Sequence, residues 1–201
     1  MKIKLCGMFR DCDIDFANEA RPDYIGFILG FPKSHRNIGC ETAQRLRSRL
    51  SPEIKAVGVF VNSPETTCAE YANCGIIDVI QLHGQEDADY IRRLRGLTGA
   101  PIIKAAKIRT PEDIRNVQAL GADYVLLDNG TGTGEMFDHS LLSVAEIRQP
   151  FFLAGGLTPD NLRQAAEDIR PYCVDLSSGV ETDKLKDRDK MLAVVRIIRD
   201  L

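Results

Sequence analysis

One thiol, one carboxylate and one guanidinium follow directly on short apolar runs: Cys6 after Ile3 to Leu5, Asp128 after Tyr124 to Leu127, and Arg36 in the segment that continues Tyr24 to Leu29. A thiol and a carboxylate on opposite sides of a bound sugar divide an isomerisation between them, one giving a proton and the other removing one. A free thiol is only about 3% thiolate at pH 7, so Cys6 as a base requires surroundings that lower its pKa or an electron-poor substrate. The planar fork of Arg36, behind Pro32-Lys33-Ser34, suits a substrate carboxylate. Beside each of these stands a plain structural reading: cysteine is a common core residue, an aspartate after a strand often caps a helix, and surface arginines are frequent. His83 ends another apolar run, where it either contacts a ligand or supports one from behind.

Eight elements have to bring these groups together. A unit of short β-branched apolar run, loop with Gly, Pro, Asp or Ser, and amphipathic stretch recurs eight times. The runs lie near residues 3–5, 24–29, 56–61, 79–82, 102–105, 124–127, 151–154 and 173–177. Between them, Ser63-Pro64-Glu65, Thr110-Pro111-Glu112 and Thr158-Pro159-Asp160 read as N-cap, first-turn proline and first-turn acid, which sets the expected helix starts. Apolar strands joined through helices predict a parallel sheet buried on both faces. An open doubly wound sheet is the alternative; eight units favour closure, which leaves no edges. The expected fold is α/β, a (βα)8 TIM barrel of eight parallel strands, as one domain over residues 1–201. At about 25 residues per unit the barrel is near its minimum length, with longer loops after strands 2 and 6.

In such a barrel, chemistry collects where strands end. Gly155-Gly156 and Ser178-Gly179 follow the seventh and eighth runs, where absent side chains let backbone N–H groups approach an anion. Each alone is an ordinary turn; together at neighbouring strand ends they point to a small phosphorylated molecule.

With Lys+Arg 26 against Asp+Glu 29, a formal net charge of −3 gives no basic surface for nucleic acid or an anionic membrane. No apolar run approaches the roughly 18 residues of a membrane span, and MKIKLCGMFRDCDID turns acidic before any leader-like core, so a cytoplasmic location is expected. The six cysteines form no C-x-x-C pair and share no ligand spacing with His35, His83 or His139; reduced thiols and no metal are expected. Those other than Cys6 read as packing residues, and Arg92-Arg93-Leu94-Arg95 as a solvated helix face.

In order along the chain, KLCG (4–7), GFILGFPKSHR (26–36), VGVFVN (57–62), DVIQLHG (78–84), LLDNGTGTGEMFD (126–138), FFLAGGLTPDN (151–161) and VDLSSGVE (174–181) resemble the phosphoribosylanthranilate isomerase family of tryptophan biosynthesis. The resemblance implies an Amadori rearrangement without metal or organic cofactor. It implies that Asp128 is the general acid that opens the ribose ring and Cys6 the general base at sugar C2. Arg36 would hold the anthranilate carboxylate, Asp175 would lie close to the substrate, and Gly155, Gly156, Ser178 and Gly179 would hold the phosphate. A monomer or homodimer is expected. His35 and Asn37 stand where the family often has Pro and Tyr, which predicts a different closure of the strand 2 loop, and His139 stands where it often has Trp. VETDKLKD leaves little room for an extra helix before the last one. Two other readings remain open here: a histidine-pathway isomerase of an aminoimidazole ribonucleotide, expected to carry aspartate in place of Cys6 and a second phosphate site, and a barrel that binds a phosphorylated metabolite without converting it.

Overall fold

The computed structural model describes residues 1–128 and 147–201. The glycine-rich segment from Asn129 to Glu135, with Phe137, Asp138 and His139, lies outside the described residues. Eight strands, β1 (Lys2–Cys6), β2 (Tyr24–Leu29), β3 (Lys55–Phe60), β4 (Val79–Leu82), β5 (Ile102–Lys107), β6 (Tyr124–Asp128), β7 (Phe151–Ala154) and β8 (Cys173–Leu176), pair in parallel with their sequence neighbours. Pairing of β1 with both β2 (Lys4 opposite Tyr24) and β8 (Lys4 opposite Asp175) closes the barrel. The doubly wound alternative is thereby excluded. Around it lie α1 (Asp11–Ala20), α2 (Cys40–Arg49), α3 (Glu65–Asn73), α4 (Ala88–Arg95), α5 (Pro111–Gln118), α6 (Leu162–Ile169) and α7 (Arg188–Arg199).

The core has two shells, as a sheet buried on both faces requires. Strand residues such as Ile3, Leu5, Ile25, Ile80, Leu127 and Val174 pack outward against helix residues such as Ile14, Leu46, Leu94 and Val194. Inside the barrel sit Val57, Val79, Ile103, Leu126 and Cys173, and Tyr24, Tyr124, Phe152 and Tyr172 fill the N-terminal end with ring centroids 5.3 to 5.8 Å apart. An aspartate stands immediately before β2, β4 and β6. Asp23, Asp78 and Asp123 each accept the backbone N–H of a neighbouring strand, from Ile3, Ala56 and Ile102, at 2.7 to 3.0 Å. Those strand starts thus lose no hydrogen bond on burial.

Of the three expected helix starts, one stands as read. Thr110 caps α5, with Pro111 at the first helical position and Asp113 returning the capping box. Pro64, rather than Ser63, is the N-cap of α3, so its start is one residue later. At Thr158-Pro159-Asp160 the helix does not begin: α6 starts at Leu162, because Asn161 binds back, its Oδ1 accepting from Thr158 N–H at 2.8 Å and its Nδ2 donating to Gly156 O at 2.9 Å. After β8 the chain makes a short 3-10 turn (Ser178–Val180) and a two-stranded hairpin pairing Glu181 with Lys186 and Thr182 with Leu185. Asp183 and Lys184 at its tip both have positive φ, the twist of a tight hairpin turn. Two cysteine readings need correction: Cys68 and Cys173 are buried, but Cys40 and Cys74 are exposed and do not pack in the core. Arg92, Arg93 and Arg95 are exposed while Leu94 is buried, a solvated face with one anchor.

Candidate active site

At the C-terminal end of the strands a cavity of about 350 Å³ is lined by Cys6, Gln81, His83, Lys107, Asp128, Gly155, Gly156, Asp175, Ser178 and Gly179, among others. That volume suits a small metabolite. Seven of the eight site residues expected from sequence therefore share one surface; Arg36 does not line it.

Cys6 ends β1, with Sγ packed over Gly26 of β2. Two positions back on the same strand, Lys4 shares its inward face. Lys4 is fully buried, and its ammonium donates to Asp175 Oδ2 at 2.8 Å, across the register pair of β1 and β8. The two side chains stand two residues apart on that face, and the ammonium charge acts on the thiol. Burial opposes the charge of Lys4, yet Asp175 and Cys6 together raise its pKa above the ordinary lysine value. Burial pushes the Cys6 thiol up, and Lys4 opposes that rise. The lowered thiol pKa wanted of a base is thus absent, because desolvation of the thiolate outweighs the nearby ammonium. The second oxygen, Asp175 Oδ1, is buried and has no hydrogen-bond partner among the described residues.

Across the mouth, Asp128 ends β6 in register with Lys107 and Ala154. His83 Nε2 lies 4.0 Å from Asp128 Oδ2, and Gln81 Nε2 lies 3.2 Å from His83 Nδ1. An amide nitrogen only donates, so His83 keeps its own proton on Nε2, the nitrogen that faces Asp128. Burial lowers the pKa of His83, which makes it a neutral partner at pH 7. The end of β4 is fixed from behind. Lys104 Nζ donates to Gly84 O at 2.7 Å and Glu86 Oε2 at 2.9 Å, and Glu86 also accepts from Asn62 N–H and Gly84 N–H.

The two glycine-bearing turns after β7 and β8 are set by backbone geometry. Gly155 and Gly156 have φ of +95° and +66°, values that other residues rarely adopt. Gly179 approaches the β7 loop so closely that a Cβ there would lie 1.8 Å from Leu157 O. Ser177 Oγ donates to Cys6 O at 3.2 Å, which joins this loop to the thiol strand.

Arg36 crosses Gly7, where a Cβ would lie 2.4 Å from its Cδ, and binds Glu181 in bidentate fashion (Nε to Oε1 2.6 Å, Nη2 to Oε2 2.5 Å). Lys186, buried, donates to the same carboxylate at 2.6 Å. Burial disfavours the Glu181 charge, but hydrogen bonds from Arg36 and Lys186 hold its pKa below the ordinary range. The strand 2 loop also closes on the hairpin through His35 Nε2 and Lys184 O, 3.2 Å apart, and on itself through Phe31 N–H and Asn37 Oδ1 at 2.6 Å. His35 and Asn37, the departures in sequence, are thus the residues that seat this loop.

Lys4, Gln81, Lys107 and Glu181 belong to the site without a place among the residues expected from sequence. Lys4 had a signal, a charged residue on the inward alternation of β1; Lys107 and Glu181 had none, since their placement depends on register and on the hairpin. Among the described residues no group of three or more His, Cys, Asp or Glu side chains is disposed to hold a metal ion.

Residues 3–197 match the family model for N-(5′-phosphoribosyl)anthranilate (PRA) isomerase. The N-(5′-phosphoribosyl)anthranilate isomerase of Endomicrobium trichonymphae is 44% identical over 205 residues, covering 100% of this chain and 99% of that one. Two solved structures superpose with a TM-score of 0.88 and full coverage of both chains. One, 32% identical, is a phosphoribosyl anthranilate isomerase in complex with reduced 1-(o-carboxyphenylamino)-1-deoxyribulose 5-phosphate. The other, 33% identical, is of monomers generated from the dimeric isomerase of Thermotoga maritima.

Proposed function

The chain belongs to the N-(5′-phosphoribosyl)anthranilate isomerase family, and from that premise we propose how its own residues carry out the Amadori rearrangement of N-(5-phosphoribosyl)anthranilate to 1-(o-carboxyphenylamino)-1-deoxyribulose 5-phosphate. The observation that supports the reading is the shared cavity: a thiol and a carboxylate from β1 and β6, with the Gly155-Gly156 and Ser178-Gly179 backbone between β7 and β8.

The phosphate is held at Gly155, Gly156, Ser178 and Gly179, which places the sugar over the mouth. Asp128 gives a proton to the ribose ring oxygen; the C1–O bond breaks and the anilino nitrogen lone pair forms a C1=N iminium. Cys6 as thiolate takes the C2 proton, and the C2–H electron pair becomes C1=C2 while the C=N pair returns to nitrogen. The iminium is the electron-poor substrate that a weakly ionised thiol needs. C1 then gains a proton as the C2 hydroxyl loses one, which leaves the ketone. Asp175 Oδ1 offers an acceptor to a sugar hydroxyl. Arg36, with its Nε edge taken by Glu181, offers its remaining N–H groups to the anthranilate carboxylate when the loop carries it to the cavity rim.

The catalytic unit is the barrel of residues 1–201, working as a monomer or homodimer; each barrel carries a full set of these groups, and a Thermotoga relative is a dimer from which monomers have been made. No helix among the described residues is long and apolar enough to cross a membrane. Six free cysteines favour the reducing cytoplasm. The test is turnover of freshly generated phosphoribosylanthranilate, followed by loss of its fluorescence. The purified chain is expected to consume it without added metal or cofactor, and a well-folded chain that leaves it unchanged overturns the reading.

A further inference from the structure

Lys4 is a fully buried lysine with no way to reach solvent, and burying an ammonium is costly unless the surroundings use its charge. Asp175 takes one of its hydrogen bonds. Had structure alone been served, a pair of apolar residues would fill the same space at no loss. The second neighbour explains the charge: the Cys6 thiol, two residues further along the same inward face of β1. Other charged groups face that thiol from the adjoining elements. Asp175 comes from β8, Arg36 crosses the neighbouring Gly7 from the strand 2 loop, and Lys186, whose Nζ donates to Ser177 O at 3.0 Å, comes from the hairpin. His83 and Asp128 stand across the mouth.

The structure assigns to Lys4 the role of a positioning residue for the base: its ammonium, aimed by Asp175, is the counter-charge that offsets part of the cost of forming the buried Cys6 thiolate which removes the C2 proton. This deepens the reading of Cys6 as the base and rests on it. The ammonium gives up no proton in the step. The thiolate becomes a thiol, the C2–H pair enters C1=C2, and Lys4 remains paired with Asp175, so the site passes from two anions beside Lys4 to one. Asp175 has two opposed effects. It orients Lys4, and its own negative charge disfavours a second anion at Cys6.

Those opposed signs separate an electrostatic role from a merely structural one. With [13Cβ]cysteine incorporated, the Cys6 resonance, assigned by its loss in Cys6→Ala, is titrated in the parent, Lys4→Gln and Asp175→Asn. Lys4→Gln keeps a donor for Asp175 but removes the charge. Its Cys6 pKa is expected to rise by about one to three pH units, the size of a lost opposite charge at close range. Asp175→Asn is expected to lower it. The rising limb of kcat/KM against pH should move in the same directions. A Cys6 pKa unchanged or lowered in folded Lys4→Gln overturns the assignment, and if Lys4→Gln does not fold, Lys4→Met titrated in the same way decides on the same outcomes. These shifts are read without turnover. Failure of Cys6 as the base shows instead as parent-like activity in Cys6→Ala, so the two failures remain distinct.

Discussion

Replacing Gly179 by alanine should damage phosphate binding far more than it damages the fold. The added Cβ would lie 1.8 Å from Leu157 O and 2.9 Å from its carbonyl carbon. To reach ordinary van der Waals separation, the β8 loop must retreat from the β7 loop by about 1.5 Å or more. Gly155 and Gly156 lie on one side of that seam and Ser178 on the other, so the two halves of the anion cradle part by the same distance. A charge-assisted hydrogen bond near 2.8 Å does not survive such a displacement, and misplacement of about 1 Å costs roughly 100-fold in catalysis. kcat/KM is therefore expected to fall about 100-fold, chiefly through a raised KM, with inorganic phosphate losing its competition in parallel. Overpacking adds about 1 to 3 kcal/mol of destabilisation, a melting-temperature loss of several degrees for a chain of this size. Gly99→Ala, at a position with nothing within 4 Å, controls for the substitution itself. Progress curves of substrate fluorescence at varied substrate and phosphate concentrations give both constants. A folded Gly179→Ala enzyme with parental KM and phosphate inhibition would refute the placement of the phosphate.

Three further outcomes follow from the same geometry. Arg36→Ala should mainly raise KM, by about tenfold or more for a lost charge-assisted contact, and Glu181→Gln should shift KM in the same direction by freeing the guanidinium; an unchanged KM in Arg36→Ala contradicts its role. Lys104→Met leaves the Glu86 carboxylate buried and unpaired beneath Asn62 and Gly84, and urea unfolding should show a loss of about 3 to 5 kcal/mol; a loss under 1 kcal/mol contradicts the clamp. His83 has a folded pKa below its unfolded value, so below the unfolded pKa the unfolded chain binds the extra proton, and its share of stability is lost as pH falls from about 6.5 toward the folded pKa. Urea midpoints of the parent between pH 7.5 and 5.5 should therefore fall more than those of His83→Gln, and parallel curves contradict the burial argument.

The barrel was legible in the sequence because each parallel strand is apolar on both faces and each is punctuated by loop residues, so Tyr24–Leu29, Val79–Leu82 and Phe151–Ala154 stand where the runs placed them. The start of α6 was not, because Asn161 competes with the Thr158-Pro159 signal by binding the Gly156 turn, a tertiary demand that no local cap rule contains. Cys6, Asp128 and the paired glycine turns were legible as polar or side-chain-free punctuation at strand ends. The partnership of Arg36 with Glu181 was hidden, since it joins residues 145 apart through a hairpin after β8. The direction of the thiol shift was hidden too, because it depends on how deeply Cys6 is buried and not on its neighbours in sequence.

The division of labour between Cys6 and Asp128 is tested most directly by single-turnover kinetics on phosphoribosylanthranilate with the parent, Cys6→Ala and Asp128→Asn, each first shown to be folded and to bind the reduced product analogue. Removal of a proton-transfer group should slow the chemical step by at least about 100-fold in each variant while the analogue still binds. Parent-like single-turnover rates in either variant would contradict the account and remove that residue from the mechanism.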